Sequence, residues 1–339
     1  MYRKQAEKYM KVKVFCAGTE DEFLYRKYQN AHLAIDYEPA SLTEDNVDLV
    51  CGYDAIVVLT RCVIGKDMAE LLKERGISYI LTRSAGYDHL DIQALEETGI
   101  KAANVPKYSP DAIAEYVCMT ALMSVRKMRL QQKMIGEQDY TLKGIRGKEL
   151  NDLNIGIIGT GRIGFQTVKL FAAFTDHILM YDLYPHKEAA AYGRYTGLDE
   201  LYAKSDVIVF HCPLTEENYH MVDDKTMSNM KDGVILINPA RGGLWDYAAV
   251  LRGLQTGKIE AAVFDVYEDE KSYLRRKQPG TEDETLKELL KFPNVIYTAH
   301  SAFYTDTAIR NMVEGVVKNL TQYEESGSCD CELTQTKKG

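Results

Sequence analysis

Asn154-Ile-Gly-Ile-Ile-Gly159-Thr160-Gly161-Arg162-Ile163-Gly164 runs from apolar residues straight into G-x-G-x-x-G, with a helical pattern behind it. Strand, glycine turn and helix in that order read as a dinucleotide site. Ile155, Ile157 and Ile158 suit a buried parallel strand. Gly159 and Gly161 allow a tight turn and close backbone approach to a pyrophosphate, and Gly164 lets helix and strand pack closely. The open N–H groups at the helix start, near Arg162 and Ile163, face the phosphates with the helix dipole behind them. Downstream, Ile178-Leu-Met-Tyr-Asp182 reads as the next strand. Its terminal carboxylate stands about 20 residues beyond the glycines, where the ribose 2′-hydroxyl of NAD needs an acceptor. Asp182 therefore favours NAD over NADP; taken alone, it could equally cap a strand end.

The chain has 339 residues, 45% hydrophobic and 27% charged, which suits two globular domains with cores of their own. A formal net charge of -9 provides no basic field for nucleic acid or an anionic membrane surface. No segment reaches the apolar length of a transmembrane helix. The first residues, Met1-Tyr-Arg-Lys-Gln-Ala-Glu-Lys8, carry charge without an apolar stretch behind them, so no signal peptide is expected. The seven cysteines are scattered without a C-x-x-C pair, which implies reduced thiols and a cytoplasmic protein. Cys329-Asp-Cys331 reads as a surface pair on a polar tail, and no metal site is assigned.

Lys11–Cys16, Ala55–Leu59 and Ser78–Leu81 read as strands and Asp67–Glu74 as a helix, making the first hundred residues a small α/β unit. After Pro110, Ile113, Val117, Ala121, Leu122, Val125 and Met128 recur at helical spacing, with Ser109 or Asp111 as cap. Beyond the glycine motif, Asp206–Phe210, Gly233–Ile237, Ala261–Phe264 and Asn294–Tyr297 read as strands separated by helices. That alternation predicts an α/β fold with doubly wound parallel sheets. A last helix runs from Thr305 through Leu320, and the tail beyond it reads as polar and mobile.

Three polar islands follow predicted strands, at the carboxyl ends where open α/β sheets bind ligands. They are Asn238-Pro239-Ala240-Arg241-Gly-Gly, Asp265-Val-Tyr-Glu-Asp-Glu270 and Ala299-His300-Ser-Ala-Phe303-Tyr-Thr. An Arg, a Glu and a His in one crevice beside a nicotinamide suit hydride transfer to a 2-oxo acid. Arginine grips the substrate carboxylate in two-point fashion. An imidazolium supplies the proton for the developing alkoxide, and a carboxylate orients it and favours its charged form. Each residue also has a plainer reading: Arg241 as a surface ion-pair residue, Glu270 as part of an acidic turn, His300 as a hydrogen-bonded strand end.

These motifs, together with Arg83-Ser-Ala-Gly-Tyr-Asp-His-Leu-Asp91, Asn104-Val-Pro-Lys-Tyr-Ser-Pro-Asp-Ala-Ile-Ala-Glu115 and His211-Cys-Pro-Leu-Thr-Glu-Glu-Asn218, make the chain resemble the D-isomer-specific 2-hydroxyacid dehydrogenases. Within them it is similar to the D-lactate branch, including the vancomycin-resistance-type enzymes, from about Lys11 to Leu320. The resemblance implies two Rossmann-like, flavodoxin-like domains. A discontinuous substrate domain (1–108 and 300–339) would enclose a central NAD-binding domain (109–299), with a cleft that closes by hinge motion and a homodimer formed through coenzyme-domain helices. It implies His300 as proton donor, Glu270 as its partner and Arg241 as the carboxylate-binding residue. Ala85 and Gly86 amides and the Tyr108 hydroxyl would surround the substrate carboxylate; the packed-aromatic reading of Tyr108 stays open. Cofactor contacts would come from Gly159, Gly161, Arg162, Ile163, Gly164, Asp182, Cys212, Pro213, Asn218, Pro239, Ala240, Arg241 and Asp265. No catalytic role falls to His89, His177, His211 or His220, although His211 would lie near the cofactor. His32 and His186 read as surface residues.

Departures from the family pattern bear on specificity. Ala299 stands where a proline is usual, which would relax the backbone before His300. Trp245 replaces a small aliphatic and is expected in the core. Leu59 stands where several lactate enzymes carry tyrosine and 2-hydroxyglutarate enzymes arginine. Leu59 and Phe303 suggest an apolar pocket, whereas Arg61, on the same alternation as Leu59, reads as solvated or as an anchor for a second carboxylate. The expected activity is NAD-dependent reduction of a 2-oxo acid, with pyruvate to D-lactate first. Open alternatives are a larger acid (2-oxoisocaproate, phenylpyruvate or 2-oxoglutarate) and a corepressor-like protein that senses NAD.

Overall fold

The computed structural model describes residues 9–268, 270 and 283–334. The first eight residues, Asp269 of the acidic motif, 271–282 and the end of the tail, 335–339, lie outside the described residues. The chain divides into two units, one of Met1–Ser109 with Thr305–Gly339 and one of Pro110–Tyr304. Residues 300–304, which the resemblance places with the substrate domain, cluster with the second unit. The cause is local: the backbone N–H groups of His300 and Ser301 donate to Asp265, at 2.5 and 2.7 Å.

The first unit opens with β1 (Met10–Phe15), α1 (Thr19–Tyr28), β2 (Leu33–Glu38), β3 (Ala55–Val58), α2 (Lys66–Glu74), β4 (Tyr79–Thr82), α3 (Ile92–Thr98) and β5 (Lys101–Ala103). Its five strands form a parallel sheet in the order β2-β1-β3-β4-β5. Every residue of β3 is buried, as expected where helices cover both faces of a parallel sheet.

The second unit begins with α4 (Pro110–Val125) and α5 (Met128–Gly136). One helix was expected to run through Met128, but Lys127 takes the left-handed conformation at φ 52°, ending α4 and leaving Met128 39% exposed. There follow β6 (Ile155–Ile158), α6 (Arg162–Phe171), β7 (Ile178–Tyr181), β8 (Arg194–Tyr195), α7 (Leu198–Lys204), β9 (Val207–Phe210) and α8 (Asp224–Ser228). The unit closes with β10 (Val234–Asn238), α9 (Tyr247–Thr256), β11 (Ile259–Phe264), α10 (Glu284–Lys291) and β12 (Val295–Tyr297). The seven strands are parallel in the order β12-β11-β10-β9-β6-β7-β8, so the winding reverses between β6 and β9. Both sheets match the predicted doubly wound class.

Trp245 is fully buried, edge-on to Phe210 with ring centroids 5.7 Å apart, so its bulk fills the core of this unit. The chain then returns to the first unit as α11 (Asp306–Ser326), capped by the Thr305 hydroxyl, which accepts from Ala308 N at 3.2 Å. The tail beyond it is not the loose segment expected from its polarity. Leu333 N donates to Ala102 O at 2.7 Å, Glu332 bridges Ala103 in antiparallel fashion, and Thr334 is buried. Residues 331–334 thus cover the exposed edge of β5, an edge that would otherwise invite pairing with another chain. No helix among the described residues is long and apolar enough to cross a membrane.

Candidate active site

The glycine turn sits between β6 and α6, beside the reversal of strand order where open α/β sheets receive nucleotides. Gly159 has φ +93°, and a Cβ there would lie 2.7 Å from the His211 backbone. At Gly164 a Cβ would fall 1.9 Å from Gly159 O, so only glycine lets α6 approach the strand this closely. Gly161 differs: a Cβ there meets nothing, and this residue, the N-cap of α6, faces open space. One glycine makes the turn, one makes the packing, and one leaves room where a pyrophosphate would meet the N–H groups around Arg162 and Ile163.

Asp182 follows β7, and its carboxylate accepts from Thr160 N at 2.5 Å and from Tyr184 N at 2.8 Å. The glycine turn and the acidic strand end are thereby tied together, and an ionised carboxylate still has lone pairs for a ribose hydroxyl. After β9, Asn218 laces its loop by donating to Pro213 O at 2.7 Å and accepting from Thr215 N at 2.8 Å. Cys212 is partly buried in the same loop. Below the turn, His211 Nε2 lies 2.9 Å from Thr167 Oγ1, and desolvation pulls its pKa down to about 3. These residues fit a dinucleotide: glycine clearance, open helix N–H groups and a strand-end carboxylate sit along one sheet edge.

Arg241, Glu270 and His300 follow β10, β11 and β12, which are consecutive neighbours in the sheet. Asn238 shapes the first of these loops, donating to Arg241 O at 2.9 Å and accepting from Ala240 N at 3.0 Å. The Arg241 guanidinium donates to Ala240 O at 2.8 Å. A Cβ on Gly242 would stand 2.4 Å from the Tyr267 carbonyl carbon, so the Arg241 loop lies directly on the acidic loop. Glu270 accepts from Tyr267 N at 2.9 Å and meets His300 Nδ1 at 2.6 Å, with the two side chains 12% and 31% exposed. A carboxylate at Nδ1 fixes ring orientation and supports the imidazolium.

Residues 299–300 are strained. Ala299 at φ +49° and His300 at φ +57° are consecutive left-handed residues, a conformation closed to proline, whose φ is fixed near −65°. The expectation that Ala299 simply relaxes the backbone is corrected accordingly. What holds this turn is Asp265, buried at the end of β11. One of its oxygens accepts from Thr298 Oγ1 at 2.5 Å and Ser301 N at 2.7 Å, the other from Ala302 N at 2.9 Å. Asp265, expected as a cofactor contact, thus also holds the turn that carries His300. Thr298 and Tyr116, joined at 2.8 Å, extend this support and were not singled out from sequence. Phe303 packs edge-on to His300, with centroids 6.4 Å apart.

In the first unit, Leu59, Ala85, Gly86 and Tyr108 all follow the carboxyl ends of β3, β4 and β5. The carbonyls of Ala85 and Gly86 are held by Asn104 Nδ2 and Ser84 Oγ, both at 2.7 Å. Tyr108 is half-buried against the apolar core and accepts from Asn311 Nδ2 at 2.5 Å through its carbonyl. Arg61 is half-buried, and its Nε donates to Cys16 Sγ at 3.0 Å. His186, read as a surface residue, stacks on Phe165 at 4.2 Å. Among the described residues no group of three or more His, Cys, Asp or Glu could hold a metal ion.

A family model described as "D-isomer specific 2-hydroxyacid dehydrogenase, NAD binding domain" matches residues 118–302. An aromatic 2-oxoacid reductase of Clostridium sporogenes is 37% identical over 94% of this chain and 98% of its own. A D-lactate dehydrogenase of Lactiplantibacillus plantarum is 36% identical over 90% and 93%. The solved structure of a D-lactate dehydrogenase from Treponema pallidum superposes with a TM-score of 0.86 at 34% identity, covering 96% of this chain and all of that one. NAD is the cofactor these findings and the glycine geometry agree on, and the chemistry is oxidoreduction at a CH–OH group. The chain belongs to the D-isomer-specific 2-hydroxyacid dehydrogenases, in their D-lactate dehydrogenase branch.

Proposed function

We propose that the chain reduces 2-oxo acids with bulky apolar side chains, aryl or branched, to the R (D) 2-hydroxy acids, and takes pyruvate as a lesser substrate. The observation that carries the chemistry is the 2.6 Å contact between His300 Nδ1 and Glu270 Oε1. With Nδ1 held there, the proton reaches the substrate oxygen from Nε2, and the carboxylate stabilises the ring while it is charged. Arg241 binds the substrate carboxylate and polarises the neighbouring carbonyl. The Ala85 and Gly86 amides and the Tyr108 hydroxyl are assigned to the same carboxylate, and Leu59 and Phe303 to the side chain. Bound NADH supplies the hydride. Gly159, Gly161, Gly164, Arg162 and Ile163 would hold its pyrophosphate and Asp182 its ribose, with Cys212, Pro213, Asn218, Pro239 and Ala240 as further contacts.

Two points support the substrate class. Leucine at position 59 omits the phenol that a tyrosine would place on the pocket wall, leaving space for a larger side chain. The 37% identical relative is named an aromatic 2-oxoacid reductase. NADH oxidation by the purified protein with pyruvate, 2-oxoisocaproate, phenylpyruvate and 2-oxoglutarate, followed by chiral chromatography, tests the reading. A higher kcat/KM for phenylpyruvate or 2-oxoisocaproate, with an R product, is expected. His300→Gln should lower kcat by about 10²–10⁴ while NADH binding survives. Oxidation with none of the four acids despite NADH binding would overturn the proposal.

A further inference from the structure

Cys16 and Cys62 lie at the carboxyl edge of the first unit's sheet, one directly after β1 and the other in the turn after β3. Their sulfurs are 3.5 Å apart. Arg61 Nε donates to Cys16 Sγ at 3.0 Å, and Ser41 Oγ stands 3.6 Å from the same sulfur. Arg83, buried and paired with Asp21, adds a second positive charge whose field reaches Cys16. The backbone of Cys16 is held left-handed at φ 61°, which fixes the direction of its side chain. Leu42 N donates to Cys62 Sγ at 3.3 Å, so Cys62 is held from its other side.

Mutual hydrogen bonding and the Arg61 guanidinium hold the Cys16 thiol well below the ordinary range, against a burial that pushes it up. The same contact raises Cys62. One thiolate and one thiol sharing a proton make an attacking sulfur with a resolving partner. Both sulfurs are buried, and Arg61 and Leu42, which bond to them, line an open cavity of about 570 Å³ at the surface.

We propose that Cys16 and Cys62 form a peroxide-oxidisable dithiol whose disulfide state alters the substrate pocket. The Cys16 thiolate attacks one oxygen of hydrogen peroxide: an S–O bond forms, the O–O bond breaks, and hydroxide leaves to become water. The Cys62 sulfur then attacks Cys16; the S–S bond forms, the S–O bond breaks, and the departing hydroxide takes the Cys62 proton. Two thiols are oxidised and one peroxide is reduced to two waters. Closing 3.5 Å to a bond of about 2.05 Å demands roughly 1.5 Å of movement. Cys62 N is bonded to Leu59 O at 2.8 Å, so that movement is transmitted to the turn carrying Leu59. The pocket consequence rests on the proposed role of Leu59; the thiol chemistry does not.

The full-length protein is reduced, freed of reductant, titrated with hydrogen peroxide, denatured, alkylated and mapped by mass spectrometry. Expected first is the loss of two of the seven thiols, a Cys16–Cys62 linked peptide, and recovery with dithiothreitol. KM for the preferred 2-oxo acid should rise on the order of tenfold, with NADH affinity unchanged. In Cys62→Ser, Cys16 should stop at a sulfenic acid that a 1,3-diketone reagent captures; Cys16→Ser should leave Cys62 unoxidised and serves if the first variant does not fold. Oxidation of other cysteines while Cys16 and Cys62 remain alkylatable would overturn the proposal. A linked peptide without a change in KM would overturn its pocket arm. Absence of turnover before oxidation would sink the functional reading and leave the mass result standing.

Discussion

His211 lies under the glycine turn, with its backbone where a Cβ on Gly159 would be and its ring on Thr167. Its pKa falls from 6.5 to about 3 because desolvation penalises the charged ring. The sign of the consequence is fixed. Above pH 6.5 the ring is neutral folded or unfolded and contributes nothing. As pH drops from about 6.5 towards 3, the unfolded chain binds a proton that the native site refuses, and native stability is lost with a slope approaching ~1.4 kcal/mol per pH unit. Chemical unfolding at pH 7, 5.5 and 4.5 should show this acid loss in the parent chain and a shallower loss in His211→Asn. Equal slopes for the two proteins would mean that His211 does not carry the acid sensitivity. Sequence placed His211 near the cofactor but could not show this, since desolvation depends on what packs over the ring.

At the scale of elements, the turn 298–302 decides the site. Its two left-handed residues, Ala299 and His300, cost free energy that nothing in their own sequence repays, and Asp265 supplies the compensation through three acceptor contacts. In Asp265→Asn, one of the donors at Ser301 and Ala302 loses its acceptor, which should cost about 1–3 kcal/mol in thermal or urea unfolding. Misplacing His300 should lower kcat on the order of 10²-fold with NADH affinity kept. Weaker NADH binding at unchanged kcat would instead make cofactor contact the main role of Asp265. Legibility follows the same physics. Strands β3, β6, β9 and β10 were readable because burial on both faces demands unbroken apolar runs. Strands β2, β5 and β8 were not: Leu33, Ile35 and Tyr37 alternate with polar or small residues on an edge, and β5 and β8 span three and two residues. The Glu270 and His300 pairing was legible from spacing and resemblance. Thr298 and Tyr116 were not, because their contact joins segments far apart in the chain.

At the scale of the whole chain, the two units differ in how sequence supplies their cores. The second unit is one continuous stretch, Pro110–Tyr304, with an apolar cluster on each side of its sheet and all of its strands. The first unit takes α11 from beyond that stretch: Val313, Val316, Val317, Leu320 and Tyr323 pack in one cluster with Val12, Val14, Val57 and Leu81. Asn319, buried in the same helix, donates to Asn104 O at 2.9 Å. At roughly 1.5–3 kcal/mol per fully buried aliphatic side chain, Val313, Val316, Val317 and Leu320 together contribute on the order of 10 kcal/mol. That is as much as the ~5–15 kcal/mol net stability of a typical domain. A fragment of residues 1–109 should therefore lack a cooperative thermal transition by circular dichroism. Residues 110–304 should melt cooperatively and bind NADH, seen as enhanced nicotinamide fluorescence, because the glycine turn, Asp182 and the β9 and β10 loops all lie within it. Adding residues 305–334 as a separate peptide should restore a transition to the 1–109 fragment if α11 is the missing part of its core. Cooperative folding of 1–109 alone would show that α11 is dispensable to that core.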